Sequence, residues 1–169
     1  LSSTPEKAQR SGRAIGLELP GGIDGIREIV LATARAWGRT DGYVRLLVTR
    51  GDGAMGVDPT RCPSPRVICI ACESELYPVE LLATGVSMVT VSVRRPGPDV
   101  LDPRVKSLNY LNNIMAKIEG LQAGCIEALM LNAKGEVAEC TGDNIFIVRK
   151  GVLQTPPIDA GILEGITRD

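Results

Sequence analysis

Two hydrophobic periods alternate along this chain, and the switches between them mark the predicted elements. Helical spacing comes first. Ser3-Thr4-Pro5-Glu6 places a hydroxyl ahead of a proline in a first turn and predicts a short polar helix ending near Gly12 or Gly16. Leu17 to Gly22 reads as a loop. Asp24 then caps a stronger helix running to Trp37, with Ile26, Ile29, Val30 and Ala34 on one face and Gly38 as its stop. Strand period follows: residues 43–50 are β-branched and apolar, a glycine-rich loop fills 51–59, and Pro65 precedes a second strand at 66–72. The loop lacks the Gly-Lys-Ser/Thr ending of a phosphate-binding P-loop, so its glycines serve turns.

Ser74 to Leu82 is polar, broken by Pro78, and reads as a linker. Beyond it, Val86 to Val93 alternates as a strand that Arg94-Arg95-Pro96-Gly97-Pro98 ends, with the arginine pair read as a solvated strand end. Lys106 to Ala123 is the clearest helix: Leu108, Leu111, Met115 and Ile118 recur at helical spacing as one buried stripe, and Gly124 stops it. Strands at 126–131 and 136–140 flank the turn Asn132-Ala133-Lys134-Gly135, and Thr141-Gly142-Asp143 turns the chain again. Two further strands, 144–149 and 152–155, lead to Pro156-Pro157, and 163–168 reads as a loop entering a helix. These elements predict a mixed α+β or α/β protein of two domains, a small α+β domain over 1–80 and a larger one over 81–169.

Composition narrows the chemistry. The 169 residues are 44% apolar with only one Trp, one Phe and three Tyr, so the core rests on aliphatic side chains. A net charge of −1, with no basic block, gives nucleic acid no electrostatic purchase. No apolar run reaches membrane-spanning length. There is no histidine, which excludes Ser-His-Asp and Cys-His nucleophiles and the commonest zinc sets; acid–base work falls to Lys, Asp, Glu, Tyr or Cys. Of five cysteines, Cys69 and Cys72 have C-x-x-C spacing, but inside an apolar strand three residues' separation points the thiols to opposite faces. They read as structural, no metal site is expected, and the odd count favours a reducing, cytoplasmic compartment. Glu139 alternates onto the face of Val137 in the hairpin and is expected to be partly buried, and a buried acid needs a partner.

In combination, Lys106-Ser-Leu-Asn-Tyr-Leu-Asn-Asn113, Glu127-Ala-Leu-Met-Leu-Asn132, Val137-Ala-Glu-Cys-Thr-Gly-Asp-Asn-Ile-Phe146, Thr155-Pro-Pro157 and Gly161-Ile-Leu-Glu-Gly-Ile-Thr-Arg168 closely resemble the fold-type IV pyridoxal-phosphate enzymes. That family includes branched-chain amino-acid aminotransferase, D-amino-acid aminotransferase and aminodeoxychorismate lyase. The likeness extends upstream through Gly42-Tyr-Val-Arg-Leu46 and residues 51–59. It implies that Lys106 forms the Schiff base with the cofactor and moves the substrate α-proton, and that Glu139 faces the pyridine nitrogen. It further implies Tyr110 at the phenolic oxygen, Ile166 and Thr167 at the phosphate, and Gly142 and Leu163 beside the ring. Tyr43 and Arg45 resemble the Tyr-x-Arg strand that receives the substrate carboxylate, and Val57 an apolar position that the family supplies from a neighbouring subunit.

The implied activity is transamination between branched-chain L-amino acids and 2-oxoglutarate by a homodimer or higher oligomer. A D-amino-acid transaminase, an aminodeoxychorismate lyase and a truncated, non-catalytic dimerisation module are the alternatives. Three departures bear on it. The family's phosphate-binding arginine has no match near the first helix, so either it lies before Leu1 or a residue such as Lys7 replaces it, and the family's Thr-bearing turn would follow Asp169, so the chain reads as part of a longer enzyme. The short interval from Lys106 to Tyr110 resembles the D-amino-acid branch.

Overall fold

Side-chain periodicity and glycine placement account for most of the elements in the computed structural model, which describes residues 4–73 and 78–168. Contacts divide the chain into two units, Leu1–Tyr77 and Pro78–Asp169.

In the first unit, helix α1 spans Thr4–Ala14 and α2 spans Gly22–Trp37. Ser3 lies outside the described residues. The second helix starts two residues before the expected cap. Gly21 takes the left-handed conformation (φ 70°) at the N-cap without a side-chain bond, and Asp24 sits in the first turn, 2.8 Å from Arg27. Its charge there complements the helix dipole instead of capping. Gly38 closes the helix at φ 67° by donating its N–H to Ala34 O. Strands β1 (Tyr43–Thr49) and β2 (Arg66–Cys72) pair antiparallel with Arg45 opposite Ile70 and Leu46 opposite Cys69. Val67, Cys69 and Ala71 face the helix side, whereas Ile68 and Ile70 on the other face are nearly half exposed. This apolar strand is therefore covered on one face only. Cys69 and Cys72 fall on opposite faces, and all five cysteines are free.

In the second unit, a short helix α3 (Val79–Thr84) occupies part of the segment expected as a linker, and residues 74–77 lie outside the described range. Strand β3 (Met88–Arg94) runs parallel to β4 (Glu127–Leu131), which pairs antiparallel with β5 (Val137–Cys140). A parallel pair requires a crossover, and the chain makes it through the four-residue helix α4 (Pro98–Leu101) and then α5 (Leu111–Gln122). The small core is Val91, Ala116, Ala128 and Met130, with Val89 and Val93 against it.

Helix α5 corrects the sequence reading twice. It begins at Leu111, so Lys106 lies on an irregular segment before it, and Leu108 is held at φ 65°, a conformation that no helix residue takes. The expected stripe is also not the buried face: Leu111, Met115 and Ile118 are 66%, 49% and 44% exposed, while Ala116 and Gly120 are buried. Small residues win because they let the helix approach the sheet. A Cβ placed on Gly120 would lie 3.0 Å from the Ala128 Cβ.

The hairpin of β6 (Ile147–Arg149) and β7 (Val152–Gln154) turns through Lys150 and Gly151, both at positive φ as a tight two-residue turn demands. Residues 166–168 form a turn, and no helix follows among the described residues.

The close approach makes a test. Gly120→Val is expected to cost about 1–3 kcal/mol by overpacking, read as a lowered urea midpoint. An unchanged midpoint would mean that α5 can lift from the sheet without loss.

Candidate active site

The site begins with the alternation of β3. Val89, Val91 and Val93 turn toward the core, so period two carries Arg95 inward and leaves Arg94 outside. The arginine pair is thus not a solvated strand end. Arg95 is 7% exposed, and its Nη2 lies 2.7 Å from Glu139 Oε1. Its Nε donates to Gly161 O at 3.1 Å and its Nη1 to Asn113 Oδ1 at 3.1 Å. Asn113 in turn donates through Nδ2 to Thr141 O at 2.7 Å. One guanidinium therefore joins β5, α5 and the loop before Leu163. The same period-two count that named the strand contained this signal, two residues beyond Val93, where the strand was ended.

Glu139 is the buried acid, and Arg95 is the partner it needed. The Leu163 N–H donates to its Oε2 at 3.1 Å. Burial pushes the Glu139 carboxyl above its ordinary range, against the pull of Arg95, the Leu163 N–H and Lys106. Burial likewise lowers the Arg95 guanidinium, with Glu139 opposing. A guanidinium keeps its proton across the physiological range, so the pair is ionic whenever Glu139 is ionised.

A second carboxylate, Glu127, fixes the turn behind Glu139. Its Oε1 accepts from Ala128 N (2.7 Å), Thr141 N (3.1 Å) and Thr141 Oγ (2.6 Å), and its Oε2 lies 3.1 Å from Lys117 Nζ. Burial works to raise its pKa, but these donors prevail and hold it below the usual carboxylate range. Between the two acids, burial pushes the Cys140 thiol up to about 11, so it stays un-ionised and inert at neutral pH.

The Arg95–Glu139 pair forms part of the wall of a solvent-open cleft. Arg95, Lys106, Tyr110, Glu139 and Leu163 line it, with Leu108, Asn112 and Asn113. The Lys106 Nζ is 5.9 Å from the Tyr110 ring centroid. The positive φ of Leu108 bends the chain between those two residues, a strained backbone of the kind that gathers at functional sites. Gly142, Ile166 and Thr167 do not line this cleft. Gly142 is exposed with nothing within 4 Å of a would-be Cβ, Ile166 is 52% exposed, and Thr167 is exposed in the final turn. In the first unit, Arg45 lies over the Tyr43 ring, 5.7 Å from its centroid, and Val57 stands fully exposed in the glycine loop. Among the described residues no cluster of His, Cys, Asp and Glu could hold a metal ion, and no helix is long and apolar enough to cross a membrane.

An amine, a phenol and a buried carboxylate on one cleft, carried on a sheet with a parallel crossover, suit a carbonyl-bearing aromatic cofactor. Residues 7–169 match the amino-transferase class IV family, and the chain belongs to it. It is 48% identical over 94% of its length to a protein of Methanocaldococcus jannaschii whose name as a branched-chain-amino-acid aminotransferase is provisional. Its fold matches the branched-chain aminotransferase of Thermoproteus uzoniensis solved with norvaline, at a TM-score of 0.87 and 38% identity over 97% of this chain and 55% of that one. It also matches a T.th. branched-chain amino acid aminotransferase complexed with N-(5′-phosphopyridoxyl)-L-glutamate, at a TM-score of 0.89 and 31% identity over 99% of this chain and 54% of that one. The chain spans about half the length of the relatives it matches.

Glu127→Gln keeps the shape but loses the charge that its donors favour. The wild-type carboxyl is held below its unfolded value, so its stabilisation is present above the ordinary carboxylate pKa and is lost as pH falls through the lowered folded one. The variant is expected to be less stable at pH 7 by about 1–3 kcal/mol, with the gap narrowing on acidification in urea titrations. A gap independent of pH would place the loss in packing instead.

Proposed function

We propose that this chain carries the reacting lysine of a pyridoxal-phosphate-dependent aminotransferase that exchanges amino groups between branched-chain L-amino acids and 2-oxoglutarate. The observation that carries this reading is the shared cleft of Lys106, Tyr110 and Glu139, with Glu139 buried against Arg95. The donor set fits the cofactor. An ionised carboxylate offers about four lone-pair positions, and Arg95 and the Leu163 N–H occupy two on Glu139, leaving capacity for a ring N–H. The Tyr110 hydroxyl suits a phenolate oxygen, and the Lys106 amine suits an aldehyde.

When bound, the cofactor supplies an electron-withdrawing ring that stabilises the charge left by loss of an α-proton. The chain's own residues do the rest. Lys106 would hold the aldehyde carbon and, as a free amine, take the α-proton at Nζ and return it. Glu139 would keep a proton at the ring nitrogen, and Tyr110 would orient the ring through its oxygen. Leu163 and Gly142 would flank it, while Ile166 and Thr167 would offer N–H and hydroxyl groups to the phosphate. Tyr43 and Arg45 would receive the substrate carboxylate, and Val57 would give an apolar contact from a neighbouring copy in a homodimer or larger assembly. Free cysteines accord with a cytoplasmic setting.

The substrate choice draws on two likenesses. Norvaline in one relative is an apolar amino acid, and the phosphopyridoxyl-glutamate of another joins the cofactor to the partner substrate's skeleton. The short Lys106–Tyr110 interval favours, as the second reading, a D-amino-acid transaminase. A substrate panel on the polypeptide carrying this sequence, loaded with cofactor, separates them. Turnover of L-leucine with 2-oxoglutarate is expected; turnover of D-alanine alone, or pyruvate release from aminodeoxychorismate, would replace the proposal. The loaded polypeptide is also expected to absorb near the visible edge, and Lys106→Ala should abolish that band. Its persistence would remove Lys106 from the assigned role.

A further inference from the structure

We propose that Arg95 decides where the proton sits in the hydrogen bond between Glu139 and a pyridine ring nitrogen, holding it on the nitrogen. This rests on the cofactor reading above and adds a residue that neither the motifs nor the charge pattern singled out.

Two arrangements of that bond hold the same atoms and the same total charge. In one the nitrogen carries the proton and Glu139 is a carboxylate. In the other the carboxyl carries the proton and the nitrogen is neutral. Only the first makes the ring a strong electron sink. Burial by itself favours the second, because a carboxylate removed from water loses its hydration. The Glu139 side chain is only 9% exposed, so that penalty is present here. Burial is the largest influence on this carboxyl and pushes its pKa upward.

Arg95 opposes this with a fixed positive charge 2.7 Å from Oε1, on a side chain 7% exposed. Three properties make it effective. A guanidinium cannot relieve the situation by losing its own proton, as a lysine can. Its fork is held at two other corners, Nε on Gly161 O and Nη1 on Asn113 Oδ1, so it does not swing away when a ligand arrives. And it stands beside the carboxylate on the cleft wall, bonded to Oε1 while the Leu163 N–H holds Oε2, which leaves lone-pair positions on the carboxylate for a ring N–H. The other groups around Glu139 are the Leu163 N–H, which also favours the ionised form, the un-ionised Cys140 thiol, and Lys106. Of the two cations, Lys106 must change its charge in the proposed reaction, and Arg95 is the constant one. Arg95 is therefore a positioning residue acting through Glu139.

The test uses pyridoxine 5′-phosphate labelled with nitrogen-15 in the ring, which has no aldehyde to react with Lys106. It is bound to the cofactor-free polypeptide carrying this sequence, and its nitrogen chemical shift is read at pH 7. With the wild type, a protonated-pyridine shift is expected, together with an ionised carbon-13 signal for the Glu139 carboxyl. Arg95→Gln should move the nitrogen shift toward that of neutral pyridine, and Arg95→Lys should keep most of the protonated character. A neutral nitrogen in the wild type, or a glutamine variant as protonated as the wild type, overturns the proposal. Where the glutamine variant fails to fold, the wild-type pair of signals and the lysine variant decide, because a neutral nitrogen in either contradicts the assigned charge effect. If the wild type does not bind pyridoxine phosphate at all, the cofactor reading falls and this proposal falls with it; binding with a neutral nitrogen sinks this proposal alone.

Discussion

The second unit is organised around a buried ion pair. Arg95 directly follows β3 and Glu139 lies on β5, both nearly sealed from solvent, and Arg95 also grips α5 through Asn113 and the loop before Leu163 through Gly161. Such a pair is not a general source of stability, because desolvating two charges costs about as much as their attraction returns. Once it exists, however, neither partner can be removed cheaply: an unpaired buried charge costs about 3–5 kcal/mol. The pair therefore acts as a register pin. It fixes β5 relative to the end of β3 even though β4 lies between them in the sheet.

Helix α5 depends on the same closeness. Ala116 and Gly120 lower it onto β4 far enough for Asn113 to reach both Arg95 and the Thr141 carbonyl. Glu127 holds the same turn from behind, with four donors on one carboxylate. The Thr141 turn is thus tied on two sides, and the carboxylate two residues before it inherits that rigidity. Lys106 and Tyr110 sit instead on an irregular stretch with a left-handed leucine, and both are exposed. A rigid acid facing a more accessible amine is a reasonable division for a site in which the proposed acid holds one proton and the proposed amine must move another.

How much of this was legible beforehand differs residue by residue. Most strands, the Gly38 stop and the opposed faces of Cys69 and Cys72 followed from local periodicity, since a strand's alternation and a glycine's tolerance of positive φ are local properties. The start of α5 did not. Leu108 fits a helical stripe by spacing, yet its backbone is turned to φ 65°, and spacing carries no information on φ. The buried face of α5 was misjudged because large apolar residues attract attention, whereas what decides a close helix–sheet contact is the absence of side chain at Gly120. Arg95 was misread because the Arg-Pro-Gly-Pro run looks like an ending, although one more step of the alternation points it inward.

The amino-acid sequence by itself determined the order of the strands and of the longer helices, the exclusion of histidine chemistry and the motifs that place the chain among class IV aminotransferases. It also marked Glu139 as an acid in need of a partner. Only the tertiary structure decided which partner. Arg95 lies forty-four positions earlier in the chain (139 − 95 = 44), and nothing local to either residue encodes the distance between them. That distance is set by the packing of β3, β4 and α5, a property of the whole sheet that no short stretch of sequence contains.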